Sequence, residues 1–159
     1  MERHSDHRYR WATEYRATAI QTVCDLESHL SELLSAVFVS RNPDVTHEMA
    51  ITELYTDRGA LSSLGKMASV ALFLGLIDKE QRDDLKTLVK IRNHYAHHRD
   101  AKQLYDEPDM FALVTKTNLY RKNKQQLEGL NEQAVVMCIK AQLIFDLRER
   151  LKALGTSAV

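Results

Sequence analysis

The sequence predicts an all-α fold, a single bundle of four or five helices, and three observations predict it. Apolar residues recur at three- to four-residue spacing over long stretches, which gathers them on one stripe of a helix. The 159 residues include only 5 Gly and 2 Pro, too few for the many tight turns of a β-protein. Nowhere do apolar and polar residues alternate at period two for long enough to build a sheet. With 44% hydrophobic and 28% charged residues the composition is globular, and the chain is long enough to bury a core without disulfides or structural metal. No repeat or low-complexity linker divides it, so one domain is expected over 1–159. Residues 1–10 are expected as a flexible N-terminus and 99–129 as a less regular connection.

The elements follow from local signals. From about Trp11 to Val39, Ile20, Val23, Leu26, Leu30, Leu33, Leu34, Val37 and Phe38 trace one long amphipathic helix. Asn42-Pro43-Asp44 ends it, because proline lacks an amide hydrogen and disfavours helical geometry in the residue before it. A short helix is expected from about Thr46 to Tyr55, broken by Asp57-Arg58-Gly59. Leu61, Leu64, Met67, Ala68, Ala71, Leu72 and Leu74 then mark a deeply buried helix that ends near Gly75. Asp78 with Gln81 has capping-box spacing and starts the next helix, whose core face is assigned to Leu85, Leu88, Val89 and Ala96. Met110–Val114 reads as a short helix, and Arg121-Lys122-Asn123-Lys124 as exposed and basic. A last helix runs from Asn131 as N-cap through Val135, Val136, Ile139, Leu143, Ile144, Leu147, Leu151 and Leu154, with Gly155 as its stop.

Charge and cysteine content bound the function. Lys plus Arg, 22 residues, equals Asp plus Glu, so no overall field draws the chain to nucleic acid or an anionic membrane, and any such binding must be local. Cys24 and Cys138 fall within apolar helical patterns and are expected as small buried thiols in a reducing compartment. The polar N-terminus does not read as a signal peptide, and no apolar run approaches the ~20 residues needed to span a bilayer. A cytoplasmic protein with no membrane partner is expected.

The chemically richest stretch is Arg92-Asn93-His94-Tyr95-Ala96-His97-His98, a permanent cation beside three imidazoles at the end of a predicted helix. Residues four apart share a helix face, whereas Arg92 and His97, five apart, diverge by about 140°. Their cooperation requires a bent side chain, a distorted helix end or a second subunit. In metal-independent RNA cleavage a base takes the proton of a ribose 2′-hydroxyl and a cation stabilises the charge that develops at phosphorus, roles that suit His and Arg. Lys90, Tyr95, His98 and Arg99 are the candidate substrate-binding residues, with Tyr95 and Tyr120 placed to stack on unpaired bases. His94 and His98 have the spacing to clamp zinc, but Tyr95 stands where a zincin pattern places Glu and no third ligand follows. The plain alternative is a solvated helix end whose cations complement the helix dipole, with His97 hydrogen-bonded in the core.

Two resemblances bear on this stretch. Arg92-Asn93-His94-Tyr95-Ala96-His97 resembles the Arg, polar residue, three residues, His signature of HEPN domains, small helical bundles whose active members cleave RNA without metal at a dimer interface. The resemblance implies that Arg92 stabilises phosphate charge, His97 is the acid/base group and Asn93 orients the site, with His98 as an alternative spacing. A Tyr that some HEPN toxins carry two residues after the motif His is replaced here by Arg99. The second resemblance spans residues 15 to 100. Gly59 to Ala68, then Ala71 to Ile77 and Asp84-Leu85, look like the central segment of the mannitol operon repressor (MltR) family. That family is all-helical without an obvious DNA-binding motif, which implies regulation through protein partners. The sequence therefore leaves two readings: a toxin- or defence-type ribonuclease with a catalytic Arg92, Asn93 and His97, or a non-catalytic repressor-type regulator. The partners expected are a second copy of the chain, RNA, and an antitoxin or regulatory protein; no cofactor and no metal are expected.

Overall fold

The computed structural model of the chain describes residues 3–97 and 110–156, all of it helix and connecting turns with no strand among the described residues. Eight helices follow in order: α1 (Arg3–Arg41), α2 (His47–Leu54), α3 (Leu64–Phe73), α4 (Lys79–His97), α5 (Met110–Thr115), α6 (Asn118–Lys122), α7 (Lys124–Leu127) and α8 (Glu132–Thr156). Five of them exceed two turns and make the bundle that the periodicity predicts. The three short ones lie in the segment expected to be irregular.

The spine is α1, about 58 Å long at 1.5 Å per residue. It packs against α2, α3, α4 and α8. Its stripe of Tyr15, Ala19, Val23, Leu26, Leu30, Leu33, Leu34 and Val37 is buried against Val135, Val136, Ile139, Leu143 and Leu147 of α8, Leu85, Leu88, Ile91 and Tyr95 of α4, and Leu64, Met67, Ala68 and Ala71 of α3. Each such leucine removed from water stabilises the fold by about 1.5–3 kcal/mol before its ordering entropy is counted. The helix starts at Arg3, ahead of Trp11, because extending a formed helix fixes one residue per hydrogen bond and needs no new nucleus.

Polar contacts fix how the other helices meet the spine. The Asp25 carboxylate of α1 pairs with Lys140 of α8 and also accepts from Gln21 Nε2 at 2.7 Å, and these bonds hold it below the usual carboxylate range. Tyr55 anchors the end of α2 by donating to Ser31 O and receiving Ser35 Oγ, each at 3.1 Å. Thr46 caps α2 through Met49 N. Glu27 of α1 accepts the amide of Leu64 at 3.0 Å, so the N-terminus of α3 is capped by a carboxylate from the spine as well as by its own Ser63.

Several boundaries differ from the sequence expectation for physical reasons. Leu61 is buried but precedes α3, because the Ser63 cap sets the helix start three residues later. Phe73, the last residue of the helix expected to be deeply buried, is 86% exposed. Gly155 does not stop α8, which runs to Thr156; the left-handed glycines are instead Gly75 (φ 71°), after α3, and Gly129 (φ 89°), before α8. Cys24 and Cys138 are both exposed free thiols, contrary to the expectation of burial. Cys24 follows the core Val23 by one residue and Cys138 follows the core Val136 by two, and one or two steps of about 100° carry the thiol off the buried stripe.

Gly59 has a different role from the chain-reversing glycines. A Cβ there would fall onto the carbonyl group of Leu54 and lie 2.9 Å from the carbonyl oxygen of Glu53, because the turn folds back so that Leu61 N can donate to Leu54 O at 2.8 Å. Gly59→Ala is expected to cost about 1–3 kcal/mol in chemical denaturation. Gly65→Ala, with nothing within 4 Å of its Cβ and a helical position in α3, is expected to stabilise by about 0.5–1 kcal/mol.

Candidate functional site

The helix that carries the Arg/His cluster begins at a reciprocal capping box. Gln81 N donates to Asp78 Oδ1 at 2.8 Å and Asp78 N donates to Gln81 Oε1 at 3.0 Å, as the spacing predicts. The same Gln81 donates through Nε2 to Asp146 of α8 at 3.1 Å, which fixes the start of α4 against the last helix. From there α4 runs without a break to His97.

Its rotation is set by which residues enter the core. Asp84, Leu85, Leu88, Ile91 and Tyr95 are buried, so the core face is carried on by Ile91 and Tyr95 and not by Val89 and Ala96 as the sequence reading assigned it. Tyr95 is 2% exposed, and its ring lies 4.9 Å from that of Tyr15 on α1, tilted by 46°. Burial and then the charge of Glu132 push its hydroxyl pKa up. Tyr120 is buried too. Neither tyrosine offers a face to an unpaired base, and the stacking role expected for them is corrected: two large aromatic surfaces are worth more in the core than at the surface.

With that rotation fixed, the other cluster residues fall into place. Ile91 points inward, so Arg92 flanks the core face and is half-buried, whereas His97 is exposed. The regular helix keeps them about 140° apart, and His97 is not the core histidine that the plain alternative supposed. Lys86, Lys90, Asn93 and His97 follow one another at spacings of four, three and four, which places them along one outward stripe. The structure thus brings Asn93, His97 and Lys90 to a common face and leaves Arg92 off it. His94 packs edge-on against Tyr95 with ring centroids 5.7 Å apart. His98 and Arg99 lie outside the described residues. Arg16 of α1 reaches the Ala96 carbonyl at 3.5 Å, a cation at the C-terminal end of α4, where the helix dipole favours it. Among the described residues no three His, Cys, Asp or Glu side chains gather as a metal would require.

Two carboxylates that the sequence reading did not single out organise the ends of this helix. Asp84, 1% exposed, accepts from Asn118 N at 2.6 Å, Asn118 Nδ2 at 3.0 Å and Leu119 N at 2.9 Å. It is the cap of α6 supplied by α4, reinforced at the surface by the Glu80–Lys122 ion pair. Its pKa is nonetheless raised, because the loss of solvent outweighs those hydrogen bonds. An acid standing in register with Leu88 and Ile91 was the legible signal. At the other end Glu132, in the first turn of α8, lies beside the Tyr15 hydroxyl, and its carboxyl is raised by burial. Tyr15, Tyr95 and Glu132 lock α1, the end of α4 and the start of α8 together.

The model of one family, described as mannitol repressor (MtlR), matches residues 12–152. The chain belongs to the mannitol repressor family. The match takes in α2 to α7 whole and most of α1 and α8, so the family scaffold includes the Arg/His helix and is wider than the segment that first resembled it. No curated protein and no solved structure gives a match. None of the described helices is long and apolar enough to cross a membrane.

Two measurements test this architecture. Asp84→Ala leaves the amides of Asn118 and Leu119 without their acceptor and is expected to cost about 2–4 kcal/mol, read by denaturant midpoint. The folded-state pKa of Glu132 is raised, so the folded protein holds its proton to higher pH than the unfolded chain. Its contribution is complete below the ordinary carboxylate value and is lost as pH rises through the raised one. Glu132→Gln is therefore expected to flatten the decline in stability on going from acid towards neutral pH, in denaturation curves taken at intervals across that window.

Proposed function

We propose that the chain is a non-catalytic, repressor-type regulator of the mannitol repressor family that acts through protein partners. The observation that carries this reading is the family match over residues 12–152, which covers most of the bundle and the whole helix with the Arg/His cluster. Two features support it. The formal net charge is zero, so the chain has no general attraction for nucleic acid. Arg92 and His97 leave α4 in different directions, so within one chain this Arg/His pair does not converge on one phosphate as cation and acid/base group.

A second reading rests on one specific feature, the outward stripe of Lys90, Asn93 and His97. In a HEPN-type ribonuclease this stripe would meet Arg92 of a second subunit, His97 would accept the ribose 2′-hydroxyl proton, and Arg92 would stabilise charge at phosphorus. A toxin or defence role and an antitoxin partner belong to that reading alone.

The experiment that separates them has two arms. Deleting the gene is expected to raise specific transcripts, and Arg92→Ala and His97→Ala are expected to restore repression as well as wild type does. Purified protein is expected to leave labelled single-stranded RNA intact in excess chelator. RNA cutting by wild type that falls at least 100-fold in both variants would replace the regulator reading with the ribonuclease one.

A further inference from the structure

One face of α8 is built like an interior. Between Val135 and Leu147 the helix carries apolar side chains on more than one side, the pattern of a helix covered on more than one side. Val135, Val136, Ile139, Leu143 and Leu147 face α1 and the core. On the opposite side Met137, 54% exposed, and Phe145, 58% exposed, stand two turns apart with Ala141 between them, and from Met137 to Phe145 the exposed positions carry no charge. Beside them, between α6–α7 and α8, lies an open cavity of about 220 Å³ with an apolar floor of Leu119, Leu127, Leu130 and Ile139, a rim of Asn123, Gln126 and Gln142, and Cys138 at its edge. No described element covers this face.

We infer that this face pairs with its own copy: two chains join about a two-fold axis at Ala141 and Gln142, their α8 helices antiparallel, each Phe145 entering the other's cavity beside Cys138.

The argument is one of register and charge. In an antiparallel pair related by a two-fold axis, opposed residue numbers have a constant sum, so placing the axis between Ala141 and Gln142 sets Phe145 opposite Cys138. The protruding ring and the partly apolar cavity are then in register twice, once in each direction, which is the self-complementarity that an isologous interface requires. Ala141 at the axis is small enough to let the two backbones approach. Phe145 supplies the buried aromatic anchor that dominates such interfaces. The ends are also complementary. Arg148, Arg150 and Lys152 outnumber Glu149 on the exposed C-terminal turns, while Glu128 is the exposed charge just before α8. Antiparallel pairing sets the C-terminal turns of each copy, with Lys152, at the N-terminal end of α8 of the other, next to the turn that carries Glu128, and opposes the two helix dipoles. A parallel pairing would stack the cationic ends on each other.

The test uses the full-length protein in sedimentation and light scattering. Wild type is expected to be a dimer at about 10 μM, and Phe145→Asp is expected to raise its dissociation constant at least tenfold while the helical circular dichroism is unchanged. If Phe145→Asp fails to fold, Met137→Lys provides the same reading from the other end of the patch. In a Cys24→Ser, Cys138→Ser background, Ala141→Cys is expected to form a disulfide-linked dimer under mild oxidation, and Thr52→Cys, on α2, is not. A wild-type monomer at 50 μM overturns the inference. So does a dimer that neither patch variant weakens, or one in which Ala141→Cys links no faster than Thr52→Cys.

Discussion

Everything in this bundle depends on the burial of one stripe along α1. Tyr15, Ala19, Val23, Leu26, Leu30, Leu33, Leu34 and Val37 are nearly inaccessible to water, and the three other long elements are arranged by what they contribute to covering that stripe. The attraction is not directional, so it does not by itself choose how each helix is rotated or where it starts. Those choices fall to a small set of polar contacts at the rim: Glu27 on the amide of Leu64, Gln81 on Asp146, Asp25 on Lys140, and Asp84 on the first amides of α6. Each is costly to leave unmade once buried, which is why they decide geometry even though their net contribution to stability is modest.

The Arg/His helix shows this division at work. Its chemistry looks suited to phosphate and proton transfer when written as a string, but its rotation belongs to the core. Because Ile91 and Tyr95 enter the interior, Arg92 is turned to the flank and His97 to the outside, and Tyr95 is packed on Tyr15 near the Glu132 carboxyl. The residues left together on the surface are Lys86, Lys90, Asn93 and His97, a mildly basic stripe from which Arg92 is turned away. The family match over residues 12–152 takes in this helix whole.

Much of the fold was legible because it rests on local rules. The Asp78–Gln81 box, the Thr46 and Asn131 caps, the Pro43 stop and the left-handed Gly75 are each set by a few neighbouring residues. What was misread depended on distant partners. Tyr120 looks like an exposed aromatic in a basic stretch until α6 is seen folded against α4 and α8, with Asp84 as its cap. Asp84 looks like one of several flanking acids until the amides it serves, 34 and 35 residues away, are in place.

By itself, the sequence determined the helical class, the order and approximate ends of the long helices, and the 140° divergence of Arg92 from His97, since periodicity, capping and helical pitch act over a few residues. Only the tertiary structure decided which side of each helix is inside. An amphipathic stripe is about 100° wide or more, and residues at its margins, such as Ala96, Cys24 and Cys138, fall in or out according to small rotations. Those rotations are set by contacts between helices far apart in the chain. They placed Tyr95 in the core, both thiols at the surface, and Met137 and Phe145 on a face that no described element covers.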